Sequence, residues 1–411
     1  MRNRLAKQKH LGVTILAVAL AALLLLAACA PPTNLPTGEK VVEIGDIAVL
    51  SGAAGSAEQP CFLGRQDYVR FFNEEKGIPG VTLKLVWRDS GTEVVKFLSA
   101  YRVLADSALP VIYTSHPGPL EGLKPQLEKD QTPFVAGAVT SQLVYPSGWV
   151  YCVWATPSEA ATAVLDYFMQ SWREEGPPKL QLLVLDGVYG REPVEDITKY
   201  AESIGFEVLP LELSPYVVLD AIPQLLRIRE READLVYINH IITGAGPIMR
   251  DVERLELQDK IQFAGNEFIQ GQSLINMAPV GAEGFLAPRP SPWIDETEIP
   301  GIKTMIDMEM KYRGKVHEDP VYLSGWVYGA ILCEAVKRAG EDVGYENVDG
   351  PAVKRALESM KDFDVDGITK ITFGPEGRRG TRSYAVYEVQ GGKIVRVSDW
   401  REVPILVPWE Q

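Results

Sequence analysis

From Val41 onward, short apolar runs alternate with amphipathic stretches, and a β-α-β-α-β series is laid down twice in succession. A short continuous apolar run bounded by turn residues reads as a buried strand, whereas apolar residues recurring every three to four positions form one face of a helix. Strict alternation of the two requires a parallel sheet with helices on its faces. The first series has strands at 41–49, 81–87, 109–113 and 132–136, with helices at 62–75, 93–106 and 120–130. The second has strands at 180–185, 206–211, 235–238 and 261–264, with helices at 160–174, 192–204, 217–231 and 247–257. A joint rich in proline, glycine and aromatics (146–157) separates them. Beyond Ala287 come helices at 301–312, 321–339 and 351–360, then strands at 368–373, 383–389 and 394–397, the last two joined by a Gly391-Gly392 turn. The expected fold class is α/β, with two Rossmann-like doubly wound lobes.

The N-terminus has a different character. Arg2, Arg4, Lys7 and Lys9 precede an uncharged apolar run from Leu11 to Ala27, which ends in Leu26-Ala27-Ala28-Cys29. A basic start, an apolar stretch shorter than a comfortable span and small residues at the cut describe a secretory signal, here residues 1–28. The Leu-Ala-Ala-Cys sequence resembles the lipobox of bacterial lipoproteins. That resemblance implies lipidation of Cys29 and anchoring of the body to the membrane surface. Residues 29–40, with three prolines and a glycine, read as a tether. Loss of the four basic residues takes the net charge from −14 to −18. No Lys/Arg cluster offsets that charge, so nucleic acid is excluded as a partner.

Templates for chemistry find little. Gly271-Gln272-Ser273 is followed by Leu274-Ile275, so no nucleophile elbow forms. Gly244-Ala245-Gly246 lacks the third glycine of a dinucleotide fingerprint, and there is no phosphate loop. His116, His240 and His317 have no metal-ligand spacing. No catalytic residue, metal or cofactor is expected. Export permits a disulfide: Cys61 and Cys152 are the pair to test, the alternative being small buried residues, while Cys333 sits in an apolar helix pattern. Ligands of open α/β sheets bind at the carboxyl ends of strands. The segments to examine are 50–59, 114–119, 137–141, 186–190, 239–246 and 265–270, where His116, Asn239 and His240 are candidate pocket groups.

The order of these segments resembles the periplasmic substrate-binding proteins of ABC importers, of the leucine/isoleucine/valine-binding type. Ile47-Ala48-Val49-Leu50-Ser51-Gly52 is similar to the family's first strand and Ser-Gly turn. Thr114-Ser115 and Ala138-Val139-Thr140 match segments that hold a ligand carboxylate. Tyr189-Gly190 matches a Tyr-Gly pair, and Gly265-Asn266-Glu267 a Gly-x-Glu whose acid takes an α-ammonium. Phe373-Gly374-Pro375 through Tyr384-Ala385-Val386 looks like the closing segment. The resemblance implies a type I periplasmic binding protein: three hinge crossovers near 157, 287 and 378, one lobe of 41–157 plus 288–377, and another of 158–287 plus 378–411. It implies a monomer that binds an amino acid or small amide between the lobes, without chemical change, and delivers it to a permease and ATPase. A sensory binding protein on the same fold is the alternative.

Ser115, Ala138, Thr140, Tyr189, Asn266 and Glu267 are the site residues so implied. There are departures. Ser56-Ala57-Glu58 offers no ring where the family often has an aromatic, Ile241 stands where a tyrosine is common, and Pro117 and Pro119 lack backbone donors. Branched-chain specificity is therefore not carried over. Trp149, Trp154, Phe268 and Trp293 are expected near the cleft.

Overall fold

The computed structural model describes residues 40–406 except Ala53, Ser147 and Glu376. The signal segment, Cys29 and the tether up to residue 39 lie outside the described residues. Among the described residues no helix is long and apolar enough to cross a membrane.

Five parallel strands build the first sheet: β1 (Lys40–Ala48), β2 (Val81–Asp89), β3 (Ile112–Thr114), β4 (Phe134–Ala136) and β5 (Val150–Cys152), in the order β2-β1-β3-β4-β5. Helices α1 (Gly55–Phe71), α2 (Val94–Asp106), α3 (Pro117–Asp130) and the short α4 (Ser141–Val144) connect them. Central β1 is buried throughout its last five residues, as a strand covered on both faces must be. Asp46 is the one charge in that stretch, and it survives burial because Arg65 of α1 donates to it through Nε (2.8 Å) and Nη2 (3.3 Å).

The second lobe starts at α5 (Pro157–Ser171) and continues β6 (Lys179–Leu185), α6 (Val188–Arg191), α7 (Val194–Ser203), β7 (Glu207–Val208), β8 (Glu212–Ser214), α8 (Ile222–Glu230), β9 (Leu235–Asn239), α9 (Ile242–Arg254), β10 (Gln262–Gly265), α10 (Gln272–Met277) and β11 (Leu286–Arg289). The chain then returns to the first lobe as α11 (Pro300–Arg313), α12 (Pro320–Val343) and α13 (Gly350–Glu358), followed by the small hairpin β12 (Phe363–Asp364) and β13 (Lys370–Ile371). Finally β14 (Ser383–Gln390) joins the second sheet antiparallel to β11, and β15 (Lys393–Arg396) and β16 (Arg401–Glu402) pair with β14. Helix α12 lies close against α1. A Cβ added at Gly325 would meet the Cys61 carbonyl at 2.0 Å, and one at Gly64 the Tyr322 carbonyl at 2.2 Å.

Three segments, 153–156, 290–299 and 372–382, pass between the sheets; β11 carries the second sheet to Arg289, beyond the crossing expected at 287. Glu159 ties two of these segments together. It completes a capping box with Thr156 at the start of α5, pairs with Arg379 Nε at 2.7 Å, and accepts from the Leu406 N–H at 3.0 Å.

Cys61, Cys152 and Cys333 are all buried and free, which corrects the Cys61–Cys152 disulfide. Cys61 faces Arg65 Nη1 (2.8 Å) and Tyr113 Oη (3.6 Å). Cys152 ends β5, where its backbone pairs with Arg378 and Gly380. Burial pushes both thiols up to about 12, so they are inert small residues of the interior. Four helices also begin earlier than expected: α1, α3, α5 and α9 start at Gly55, Pro117, Pro157 and Ile242 rather than near 62, 120, 160 and 247.

Candidate functional site

The carboxyl ends of the first-lobe strands form one rim. At the end of β3, Thr114 Oγ1 donates to the Ile47 carbonyl (3.0 Å) and accepts from the His116 N–H (3.1 Å), which fixes the turn presenting Ser115. Pro117 is the first residue of α3, where no N–H is required. Ser115 is half-buried in that turn, and Glu58 stands on the first turn of α1. Burial pushes the Glu58 carboxyl up, with Ser115 and Arg65 pulling it down. His116 packs edge-on to Phe97 at 5.5 Å, its Nδ1 is buried without a partner, and burial lowers its pKa.

After β4, Gly137 touches the Tyr113 hydroxyl so closely that an added Cβ would lie 2.1 Å from it. Ala138 is half-buried and Thr140 fully buried, with Oγ1 donating to Glu121 at 2.5 Å. Tyr328 of α12 underlies this rim. It stacks on Tyr113 at 5.1 Å, donates to the Gly137 carbonyl (3.2 Å) and accepts from Trp154 Nε1 (2.5 Å).

The second-lobe rim is organised by an amide ladder. Asn239, at the end of β9, donates to the carbonyls of Tyr189 (3.1 Å) and Gly190 (3.3 Å). Asn266, after β10, donates to Asn239 Oδ1 (3.0 Å) and the His240 carbonyl (2.8 Å), and accepts from the Phe268 N–H (3.0 Å). The His240 ring is buried between the carbonyls of Ile241 and Pro215, both at 3.1 Å. It occupies the space a side chain at Gly244 would need. These three side chains are therefore committed to holding the rim in shape.

Glu267 is 7% exposed. Burial pushes its carboxyl up to about 7, the Arg289 guanidinium pulling the other way. The hydroxyls of Tyr189, Tyr237, Tyr384 and Tyr328 lie within its electrostatic reach. Those of Tyr237 and Tyr384 are buried without a hydrogen-bond partner. Arg289 is buried with Nε and Nη1 unpartnered, its guanidinium 4.7 Å from the Trp293 ring.

The two rims face each other. Between them Glu192, at the end of α6, accepts from the Ser141 N–H (2.6 Å) and from its hydroxyl. The Ser141–Glu192 contact joins the rim that carries Thr140 to the one that carries Tyr189. Trp154 lies at the base of the first rim, whereas Trp149 sits beneath Lys354, whose ammonium is 5.6 Å from the ring. Phe268 is half-buried at the second-lobe rim, and Trp293 backs Arg289.

Sequence reasoning missed Glu58, Tyr237, Tyr328 and Tyr384. Glu58 was legible as a carboxylate on the first rim, whereas the tyrosines fall inside apolar runs that look like core. A surface hollow of about 760 Å³ elsewhere is lined by Tyr101, Asp130 and Pro351, but its polar groups satisfy one another, Tyr101 donating to Asp130 at 2.5 Å. Among the described residues no group of three or more His, Cys, Asp or Glu is arranged to hold a metal.

The pattern of the family described as periplasmic binding protein matches residues 41–393. A solved structure described as a branched chain amino acid ABC transporter from Thermus thermophilus with bound valine shares 25% identity and a TM-score of 0.82, over 90% of this chain and 98% of that one. A leucine binding protein from Thermotoga maritima shares 18% identity at a TM-score of 0.71, over 88% and 98% of the two chains. A fatty acid ABC transporter substrate-binding protein from Thermomonospora curvata shares 18% at 0.78, over 92% and 98%. At 18% these last two speak for the fold alone. No curated protein matches the chain.

Proposed function

The chain belongs to the periplasmic binding protein family, an extracytoplasmic solute-binding family rather than an enzyme class, and from that premise we propose that it is the lipid-anchored solute receptor of an ABC importer. Its ligand is an amino acid or a related small amide, held between the two rims. The observation that carries this reading is Glu267: a carboxylate buried just after the carboxyl end of β10 and pushed up to about 7 by that burial. Desolvation pushes a buried acid toward its neutral form, the Arg289 guanidinium offsets this only in part, and an arriving ammonium supplies a further counter-charge. Charge-assisted hydrogen bonds in a closed cleft are the strong kind.

A ligand that touches Glu267 on one lobe and the Ser115 turn on the other stabilises the closed arrangement over the open one. The permease and ATPase would read that arrangement. Cys29, lipidated, would hold the body at the membrane through the 29–40 tether. The bound valine described for the Thermus structure supports an amine ligand in a cleft of this kind.

Calorimetric titration with a panel of amino acids and their amides tests the proposal. A binding member should lose about a hundredfold in affinity in Glu267→Gln, since removing one partner of a buried charge pair costs several kcal/mol. Unchanged affinity in that variant removes Glu267 from the site.

A further inference from the structure

Asp319 occupies the N-cap position of α12, with extended backbone at φ −112° and ψ 149°. An aspartate placed there ordinarily accepts from an N–H in the first turn of its own helix. Asp349 does so at α13, taking the Ala352 N–H at 2.9 Å. Asp319 makes no such bond. Its carboxylate turns instead to the other lobe, where Oδ1 accepts from the Ser273 N–H at 3.1 Å and Oδ2 from the Ser273 hydroxyl at 2.5 Å.

The elements that meet at this point belong to separate cores. α12 lies against α1 of the first lobe, whereas α10 lies against α9 of the second, where a Cβ added at Gly246 would be 2.4 Å from Met277 Cε. Their approach leaves no room for a side chain at Gly271. An added Cβ would lie 2.3 Å from Asp319 Oδ1 and 3.3 Å from Pro320 Cδ. Gly271 has φ −169°, extended backbone open to any residue. The opposing lobe, and not its own conformation, is what demands glycine there. The contact mirrors the one on the rims, where Glu192 of the second lobe accepts from the N–H and hydroxyl of Ser141 of the first. In each pair an acid on one lobe takes both donors of a serine on the other, with the direction reversed between the pairs.

We propose that Asp319, Ser273 and Gly271 form a clasp that holds the lobes together, its donors and acceptors spent on each other and not on solute. The clasp sets how much of the closed form the ligand-free chain contains. Apparent affinity scales with the population of the binding-competent form, so the clasp acts on affinity whichever solute is bound.

The test is amide hydrogen exchange of the ligand-free full chain, read by mass spectrometry in the segments around Ser273 and Ser141. In Asp319→Ala both segments should exchange about tenfold faster, because loss of the clasp lets the lobes part as units. Gly271→Val leaves every acid in place and should act alike by keeping the lobes apart. Asp349→Ala removes a bond confined to the first lobe and should leave both segments unchanged. Acceleration confined to the Ser273 segment in the two clasp variants overturns the inference, since Asp319 then orders only its neighbour. No change at either segment overturns it as well, and so does an equal acceleration in Asp349→Ala. None of these results bears on which solute the cleft holds, so the amine-binding reading stands or falls separately.

Discussion

The two rims contrast in how their buried charges are satisfied. In the first lobe Arg65 and Asp46 form a bidentate pair at 2.8 and 3.3 Å and the hydroxyls of Thr140 and Ser141 donate to carboxylates, while His116 Nδ1 stays buried without a partner. In the second lobe Arg289 has two unpartnered nitrogens, Glu267 is held near neutrality, and two tyrosine hydroxyls are buried with nothing to bond. The closed network makes its rim stiff, because every member constrains its neighbours. The incomplete one stores an unmet demand that a ligand can satisfy.

The largest expected effect breaks the contrast at its strongest point. Asp46→Asn leaves Arg65 buried without its counter-charge and should destabilise the protein by about 3–5 kcal/mol in denaturant unfolding. Arg289→Met, removing an equally buried cation that lacks such a pair, should cost under about 1 kcal/mol, since it also removes two unsatisfied donors. Equal costs would abolish the distinction between the rims.

A smaller effect follows from Glu267. Its folded-state pKa is raised to about 7 by burial from the ordinary 4.5. Its stabilising contribution is therefore fully present below about pH 4.5 and is lost as pH rises through 7. Relative to Glu267→Gln, the ligand-free protein should gain on the order of 2 kcal/mol between pH 8 and pH 5. Glu58 and Glu192, also raised by burial, act in the same direction, so the difference between the two proteins isolates Glu267. A pH-independent difference in melting temperature would show that Glu267 is solvated.

Much of this architecture was readable in the residues. The strand order along the chain, the long helix opposite α1 and the Gly391-Gly392 turn follow from periodicity and turn chemistry. Glycines at φ 59° and 73° form the two-residue link between β14 and β15. What failed were helix starts near proline. Pro60 and Pro247 lie inside α1 and α9, whereas a proline is normally a mark of a helix beginning. Placing the start of α1 after Pro60 left Glu58 in a presumed loop. Asn239, His240 and Asn266 were correctly placed on the rim, but one sequence cannot reveal that their polar atoms bond each other. Nor does a strand pattern distinguish a core tyrosine from one whose hydroxyl reaches a cleft.

Next in size is a pair of hydroxyl deletions. Tyr328→Phe removes bonds to Trp154 and Gly137 and should cost about 1 kcal/mol. Tyr384→Phe removes a hydroxyl with no partner, so the ligand-free protein should be unchanged or slightly more stable, while affinity for an amine falls by about tenfold. Destabilisation by Tyr384→Phe in the absence of ligand would mean that the second rim is as complete as the first.

The smallest effect concerns the link between the rims. Glu192 accepts from Ser141 across the cleft, and its other oxygen is buried without a partner. A single bridge of this kind, partly offset by desolvating the acid, contributes little net stability. Glu192→Gln should lower the melting temperature by no more than about 2 °C. It should nonetheless shift the ligand-free protein toward an open form, because this bond exists only when the lobes meet. Small-angle scattering would register that shift as a larger radius of gyration without ligand and an unchanged one with saturating amine. A radius of gyration insensitive to Glu192→Gln would place the balance between open and closed forms in the crossing segments around Glu159 and Arg379 instead.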